Sequence, residues 1–258
     1  MNLFRKFKRN LIYKFKKKID VDHISSDFDT SNLDEIFSYF GSDKAKVYQT
    51  DFASIGLKKK EVNGHGYSSF YERHLDIFKN HRINILEIGS FSGASAASFL
   101  KYFPQSKIYC LDVNIANFNI FSKNIKVFGI DASNKKMVDN FFDEINVQKN
   151  FEFFDIIIDD GSHKLSDILK SINFFYKNLK SGGYYVIEDY KFPNYYKHLD
   201  DCKEIKIDKL LSYIKNKKYF DSNIIKQDVI KYLIDRTSDV FIYKGLLKHS
   251  DIAFLKKN

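Results

Sequence analysis

The chain has 258 residues, 44% apolar and 29% charged, with two cysteines and a formal net charge of +9. That is enough apolar content for one large domain or a domain with an appendage, and too few cysteines for a disulfide framework or a zinc cluster. No run of eighteen apolar residues and no signal-peptide core follow the basic start, so a cytoplasmic protein without a membrane span is expected.

The charge sits at one end. Residues 1–18 carry Arg5, Lys6, Lys8, Arg9, Lys14, Lys16, Lys17 and Lys18 and no acid, whereas the remainder carries 34 basic and 33 acidic residues. Phe4, Phe7, Leu11, Ile12 and Phe15 recur through that stretch at helical spacing, which describes a cationic amphipathic helix. Two readings of it stay open: peripheral contact with anionic lipid at the inner face of the membrane, or packing on a neighbouring subunit of a homo-oligomer. No nucleic-acid motif stands behind the basic cluster, so no nucleic-acid partner is expected. A polar joint from Asp20 to Asn32 follows, which divides the chain into residues 1–35, helix and joint, and residues 36–258, the main domain.

Helical stretches are expected around Leu33–Phe40 and Tyr67–Phe78, and the core from about residue 83. Strand-like and helical runs then alternate: Ile83–Ile88, a helix over Ala94–Phe103, Lys107–Val113, Ile125–Ile130, a helix over Lys135–Ile145, Phe154–Ile158, a helix over Lys164–Leu179, and Tyr184–Ile187. This rhythm predicts an α/β fold, a parallel sheet with helices on both faces. Cys110 lies inside one strand-like run and reads as a buried thiol. Residues 192–237 interrupt the rhythm and read as an inserted helical cap. Asp239–Gly245 and Asp251–Leu255 read as a terminal antiparallel hairpin.

Two acid clusters stand directly behind strand-like runs: Asp159-Asp160-Gly161-Ser162-His163 and Glu188-Asp189. On neighbouring parallel strands about 5 Å apart, Asp160, Glu188 and Asp189 can converge. Three carboxylates together repel unless something cationic sits among them; a hard divalent cation is the simplest candidate, and His163 is placed to act as a base beside it. Strand alternation turns Asp159 to the other face from Asp160, where it could instead cap the following helix or be the ligand itself.

The first core strand ends Glu87-Ile88-Gly89-Ser90-Phe91-Ser92-Gly93-Ala94-Ser95, a glycine loop opening a helix. Asp112 closes the next strand, where an acid can accept hydrogen bonds from ribose hydroxyls. Asp131-Ala132-Ser133 follows the third, the usual neighbourhood of an adenine ring.

These residues resemble the class I S-adenosylmethionine-dependent methyltransferases, with Glu87-x-Gly89-x-x-x-Gly93 as the first motif, Asp112 as the ribose-binding acid and Asp131 on the adenine side. The resemblance covers residues 83–190 and the terminal hairpin. It implies a Rossmann-like, mostly parallel seven-stranded sheet with that hairpin, a helical N-terminal extension and the helical cap, and S-adenosylmethionine bound by Glu87, Gly89, Gly93, Ser95, Asp112, Asp131, Ala132, Asp159 and Tyr67.

A narrower resemblance covers almost everything beyond residue 40. Gly41-Ser42-Asp43-Lys44, Tyr67, Tyr71-Glu72, the glycine loop, Ile158–His163 and Ile187-Glu188-Asp189 are similar to the metal-dependent sugar O-methyltransferases of macrolide and polysaccharide biosynthesis. Lys58-Lys59-Lys60-Glu61 lengthens the segment between Asp43 and Tyr67 relative to that family. The resemblance implies Asp160, Glu188 and Asp189 as ligands of Mg²⁺ or Mn²⁺ and His163 as general base. It also implies, as acceptor, a hydroxyl of a sugar or of a cell-surface or capsular polysaccharide precursor. The alternatives are a metal-independent methyltransferase of another small acceptor, including a phosphate- or phosphoramidate-linked oxygen, and a noncatalytic membrane-associated module with a cofactor fold. His65 is placed to touch cofactor or acceptor, and Tyr195 and Tyr196 to stack on a sugar face or to pack.

Overall fold

The computed structural model describes residues 3–25, 29–50, 60–148 and 150–258. Helices α1 (Leu3–Phe15), α2 (Leu33–Phe40) and α3 (Ser68–Leu75) precede the core, with short strands β1 (Ile19–Asp20), β2 (Val47–Thr50) and β3 (Lys60–Asn63) among them. The core runs β4 (Asn84–Ile88), α4 (Ala94–Tyr102), β5 (Lys107–Asp112), β6 (Ile120–Phe121), β7 (Ile125–Gly129), α5 (Lys135–Glu144), β8 (Phe154–Asp159), α6 (Leu165–Phe175) and β9 (Leu179–Glu188). Then come α7 (Phe192–Tyr195), α8 (Ile207–Lys215), α9 (Gln227–Arg236), β10 (Thr237–Lys244) and β11 (Asp251–Lys257). The lengthened segment at Lys58-Lys59-Lys60-Glu61 falls partly on residues 51–59, outside the described residues.

The expected seven-stranded sheet is present, in the order β10-β11-β9-β8-β4-β5-β7. All neighbours are parallel except β11, which runs antiparallel to both β9 and β10. Alternation along β8 puts Ile157 in one cluster and Ile156 and Ile158 in the other, and the register shift between Phe154 and Ile156 places Phe154 with Ile157. The inner strands β4, β5, β8 and β11 are buried on both sides because a helical layer covers each face. One layer holds α5 and α6, joined by the apolar stripes of α8 (Ile207, Leu210, Leu211, Ile214) and α9 (Val229, Ile230, Leu233, Ile234). Most of segment 192–237 is therefore seated on the sheet face. The other layer holds α2, α3 and α4 through residues such as Phe37, Tyr71 and Phe99.

Strand β9 is longer than its apolar run. Phe154 pairs with Leu179 and Ile156 with Tyr184, so the turn residues Ser181-Gly182-Gly183 bulge out within the strand instead of ending it.

Two local devices set up the site. Helix α2 starts at Asn32, whose side chain accepts from Glu35 N, and ends at Gly41 with φ +77. That left-handed turn returns Ser42 N to Phe37 O, a helix stop that swings Ser42-Asp43-Lys44 back toward the sheet. Asp34 then fastens the loop by accepting from Lys46 N and Ser68 Oγ.

The second device lies where the chain order reverses. From β4 the chain moves outward to β5 and β7, then returns to β8 on the other side of β4; such switch points open a crevice at the carboxyl ends of the strands. Gly89 sits there with φ +89, and a Cβ on it would stand 1.9 Å from the Asp160 carbonyl oxygen. Gly89→Ala should destabilise the fold by about 3 kcal/mol or more, since left-handed strain adds to a backbone clash. The urea midpoint measures this, and an unchanged midpoint would show that the β4 and β8 loops are not locked together.

Candidate active site

Four charged side chains from three parts of the chain meet at the ends of β8 and β9. The Lys44 ammonium donates to Asp160 Oδ2 at 2.6 Å and to Glu188 Oε2 at 2.9 Å. The lysine side chain is 2% exposed, so this is a buried ion pair and not a surface one. Glu188 Oε1 accepts in addition from the Tyr71 hydroxyl. The Tyr67 hydroxyl donates to Asp189 Oδ1 at 2.6 Å. Tyr67 caps α3 and Tyr71 lies one turn on, so both hydroxyls face the same way and each takes one member of the adjacent acid pair.

Adjacent strand residues ordinarily point to opposite faces. Glu188 and Asp189 escape that rule because Asp189 has φ +49, past the end of β9. His163 (φ +56) and Phe91 (φ +41) are also left-handed. Backbone strain of this kind persists only where the surrounding contacts over-determine it. Ser162 Oγ donating to Asp167 Oδ2 at 2.6 Å braces the His163 turn, and the ring of Phe192 lies 4.9 Å from the imidazole.

The electrostatics follow from burial. Burial pushes Asp189 up to about 7, against the hydrogen bond from Tyr67, and Asp159 likewise up to about 7. Burial and then the charge of Asp160 raise Glu188. Burial opposes the charge on Lys44, but Asp160 and Glu188 outweigh it and hold the ammonium firmly protonated. Burial keeps His163 below the ordinary imidazole value, so near neutrality its ring is a proton acceptor.

Asp160, His163 and Asp189 each bring one ligand atom to within 4.8 Å of the others, close enough to share one ion. His163 Nε2 is 3.7 Å from Asp160 Oδ1, the oxygen that Lys44 leaves. A hard dication takes one or two carboxylates and fills its shell with water and substrate oxygens, which fits Asp160 and Asp189 with His163 beside them and would relieve acids that burial makes basic. Glu188, also expected as a ligand, accepts hydrogen bonds from Lys44 and Tyr71.

A cavity of about 380 Å³ runs from this point along the strand ends, a volume within the range of cofactor sites. Gly89, Asp112, Asp131, Ala132, Asp159, Asp160 and His163 all line it. Asp112 accepts from Phe91 N at 2.8 Å and Asn114 N at 2.6 Å, which fixes its carboxylate while leaving lone pairs on both oxygens. Asp131 Oδ1 is held by the Ser133 hydroxyl and amide. Asp159 Oδ2 is buried and has no hydrogen-bond partner among the described residues, an acceptor on the cavity wall suited to a donor on a ligand.

Four expected cofactor contacts stand elsewhere. Tyr67 lies fully buried against Asp189 and stacks on His65, outside the cavity, because its hydroxyl is spent on the acid. Glu87 is buried below the glycine loop, Gly93 marks the start of α4, and Ser95 lines a second cavity that also holds Gly41–Lys44 and meets the first at Gly89, Phe91 and Asp160.

The ion pairs of Lys44 and the hydrogen bond of Tyr71 were not foreseen in sequence, and His65, expected to touch cofactor or acceptor, lies beside Ser250 and Asp189. His65 Nδ1 lies 2.7 Å from Ser250 Oγ and 3.5 Å from Asp189 Oδ1. The usable signals were a lysine in Gly-Ser-Asp-Lys and two tyrosines four apart facing two adjacent acids.

No protein-family model matches the chain. It is 28% identical over 132 residues to the mycinamicin VI 2''-O-methyltransferase of Micromonospora griseorubida, covering 48% of this chain and 31% of that one. It is 30% identical over 139 residues to the L-olivosyl-oleandolide 3-O-methyltransferase of Streptomyces antibioticus, covering 51% and 34%. These matches span about a third of each relative's length. The solved MycE methyltransferase from the mycinamycin biosynthetic pathway, in complex with Mg, SAH and mycinamycin VI, superposes with a TM-score of 0.62 at 21% identity, covering 88% of this chain and 53% of that one, and shares the fold. In fold the chain resembles the class I S-adenosylmethionine-dependent methyltransferases, and over about half its length its sequence is similar to the sugar O-methyltransferases of macrolide pathways.

Proposed function

We propose that the chain is an S-adenosylmethionine-dependent, metal-assisted O-methyltransferase acting on a hydroxyl of a sugar, such as that of a cell-surface or capsular polysaccharide precursor. One observation carries this reading: Asp160 and His163, which cluster with Asp189, line the same cavity as Asp112, Asp131 and Ala132. Similarity to sugar O-methyltransferases supports the acceptor class.

Asp160 and Asp189 would hold the ion, and Asp112, Asp131 and Ala132 the nucleoside. Bound there, S-adenosylmethionine supplies an electrophilic methyl group and Mg²⁺ or Mn²⁺ a Lewis acid that lowers the pKa of an acceptor hydroxyl. His163, which burial keeps neutral near pH 7, takes the hydroxyl proton on its unprotonated ring nitrogen. Tyr67 and Lys44 hold the two acids in place, and Phe192 fixes the imidazole plane.

A second reading rests on the seat of the Lys44 ammonium between Asp160 and Glu188: the lysine is the site's cation, and His163 works without a metal. Metal dependence separates the two.

Asp112→Ala should weaken S-adenosylhomocysteine binding about tenfold or more in calorimetry, through lost charge-assisted hydrogen bonds. Tight binding of a nicotinamide nucleotide with no response to S-adenosylhomocysteine would overturn the methyltransferase reading.

The pH dependence of stability has a definite sign. Asp159 and Asp189 are raised from 3.8 to about 7 in the fold. Their contribution is complete below pH 3.8, where both states are protonated. It is lost as pH rises toward 7, because the unfolded chain releases the protons first. The metal-free melting temperature should therefore fall across that window, and Mg²⁺ should raise it more at pH 8 than at pH 5, with Asp160→Asn and Asp189→Asn abolishing the response. Equal melting with and without Mg²⁺ at pH 8, together with full activity in EDTA, selects the lysine reading.

His163→Ala should lower kcat by about 10²-fold to 10⁴-fold with cofactor affinity nearly unchanged. The wild-type rate should reach its plateau near neutrality. Near-normal kcat in the variant would assign the proton to another acceptor.

A further inference from the structure

Helix α1 lies with its apolar stripe turned away from the protein. At about 100° per residue, Arg9, Tyr13 and Lys16 share one side, and that side is anchored. Arg9 donates to Val113 O at 2.8 Å, Lys16 to Asn117 O at 2.9 Å, and Tyr13 meets Phe118 edge-on at 6.3 Å. Phe7, Leu11 and Phe15 cover the opposite side and are 64%, 47% and 76% exposed, and Ile12, on the flank between the two sides, is 44% exposed. Phe4, also expected in the stripe, lies outside the described side chains.

A stripe of large apolar side chains left in water on an otherwise anchored helix marks a docking surface. Charge decides the occupant. Residues 1–18 hold eight basic residues and no acid, and Lys8, Lys14 and Lys17 are exposed around the stripe. A second copy meeting it by the same face would set two such segments against each other. The rest of the chain, with 34 basic and 33 acidic residues, offers no net negative charge to complement it. Anionic lipid satisfies both requirements, with apolar side chains entering the acyl boundary and lysines reaching the headgroups. Ile19, just beyond the helix, and Phe121, in the strand paired with β1, are also exposed and extend the apolar surface.

We propose that α1 docks the protein on an anionic membrane surface through Phe7, Leu11, Ile12 and Phe15. The helix lies in the interface and spans nothing: no helix among the described residues is long and apolar enough to cross a membrane. The proposal does not rest on the methyltransferase reading.

The full-length chain should float with vesicles of equal parts phosphatidylcholine and phosphatidylglycerol, not with phosphatidylcholine alone, and should be released at 1 M salt, where the Debye length shrinks to about 3 Å. The triple variant Phe7→Ser, Leu11→Ser, Phe15→Ser should lose binding about tenfold or more while keeping its melting temperature, and Lys8→Glu, Lys14→Glu, Lys17→Glu should do the same. Absence of binding to the anionic vesicles at low salt, or binding that survives the serine variant, overturns the proposal. So does a lipid-free dimer, seen by light scattering, that the serine variant dissolves.

Discussion

One buried ammonium holds the centre of this molecule together. Lys44 brings a single positive charge among Asp160, Glu188, Asp189, Asp159 and Glu87, all of them at or near the ends of β4, β8 and β9. Taking such charges out of water costs several kcal/mol per ion, and only close pairing with further hydrogen bonds returns it. Here the pairing is close, and Tyr67 supplies a hydrogen bond to Asp189, which the lysine does not bond, while Tyr71 supplies one to the second oxygen of Glu188. The balance is still negative. Burial, with the charge of Asp160 added, raises Asp159 and Asp189 to about 7, and the uncompensated acids suit the cluster to receive a dication.

The rest of the N-terminal region reads as the apparatus that delivers this lysine. Asn32 starts α2, Gly41 stops it with a left-handed turn, Asp34 pins the returning loop to α3, and Glu72 accepts from Leu33 N at 2.8 Å to tie the two helices. Phe37 and Tyr71 pack on Phe99 of α4, so the helix that opens from the glycine loop and the helix that releases the lysine share one apolar layer. A shift in that layer would be felt at both the charge cluster and the cavity.

The site also stores strain where the chemistry is assigned. Phe91, His163 and Asp189 are left-handed without being glycine, a conformation costing on the order of 1–3 kcal/mol each. In return, consecutive residues can face the same point, which no regular strand end allows. The charge pairs and the Ser162–Asp167 hydrogen bond repay that cost locally.

Much of this was legible in the chain. Alternating apolar runs of strand and helix length determined the sheet, its layers and the terminal hairpin, because periodicity encodes which sides are buried. The glycine loop, Asp112, Asp131 and the two acid clusters were legible for a related reason: chemistry at a switch point must follow directly after a strand. The acids even announced that a cation was needed. Which cation reaches them was not readable, because Lys44 is 116 residues from Asp160 and 144 from Glu188, and only the helix stop at Gly41 brings it there. The same holds for Tyr67, whose hydroxyl went to Asp189 once α3 lay across β9, and for α1. Its sequence determined an amphipathic, cationic helix, and only the anchoring of Arg9, Tyr13 and Lys16 decided which face is left to the outside.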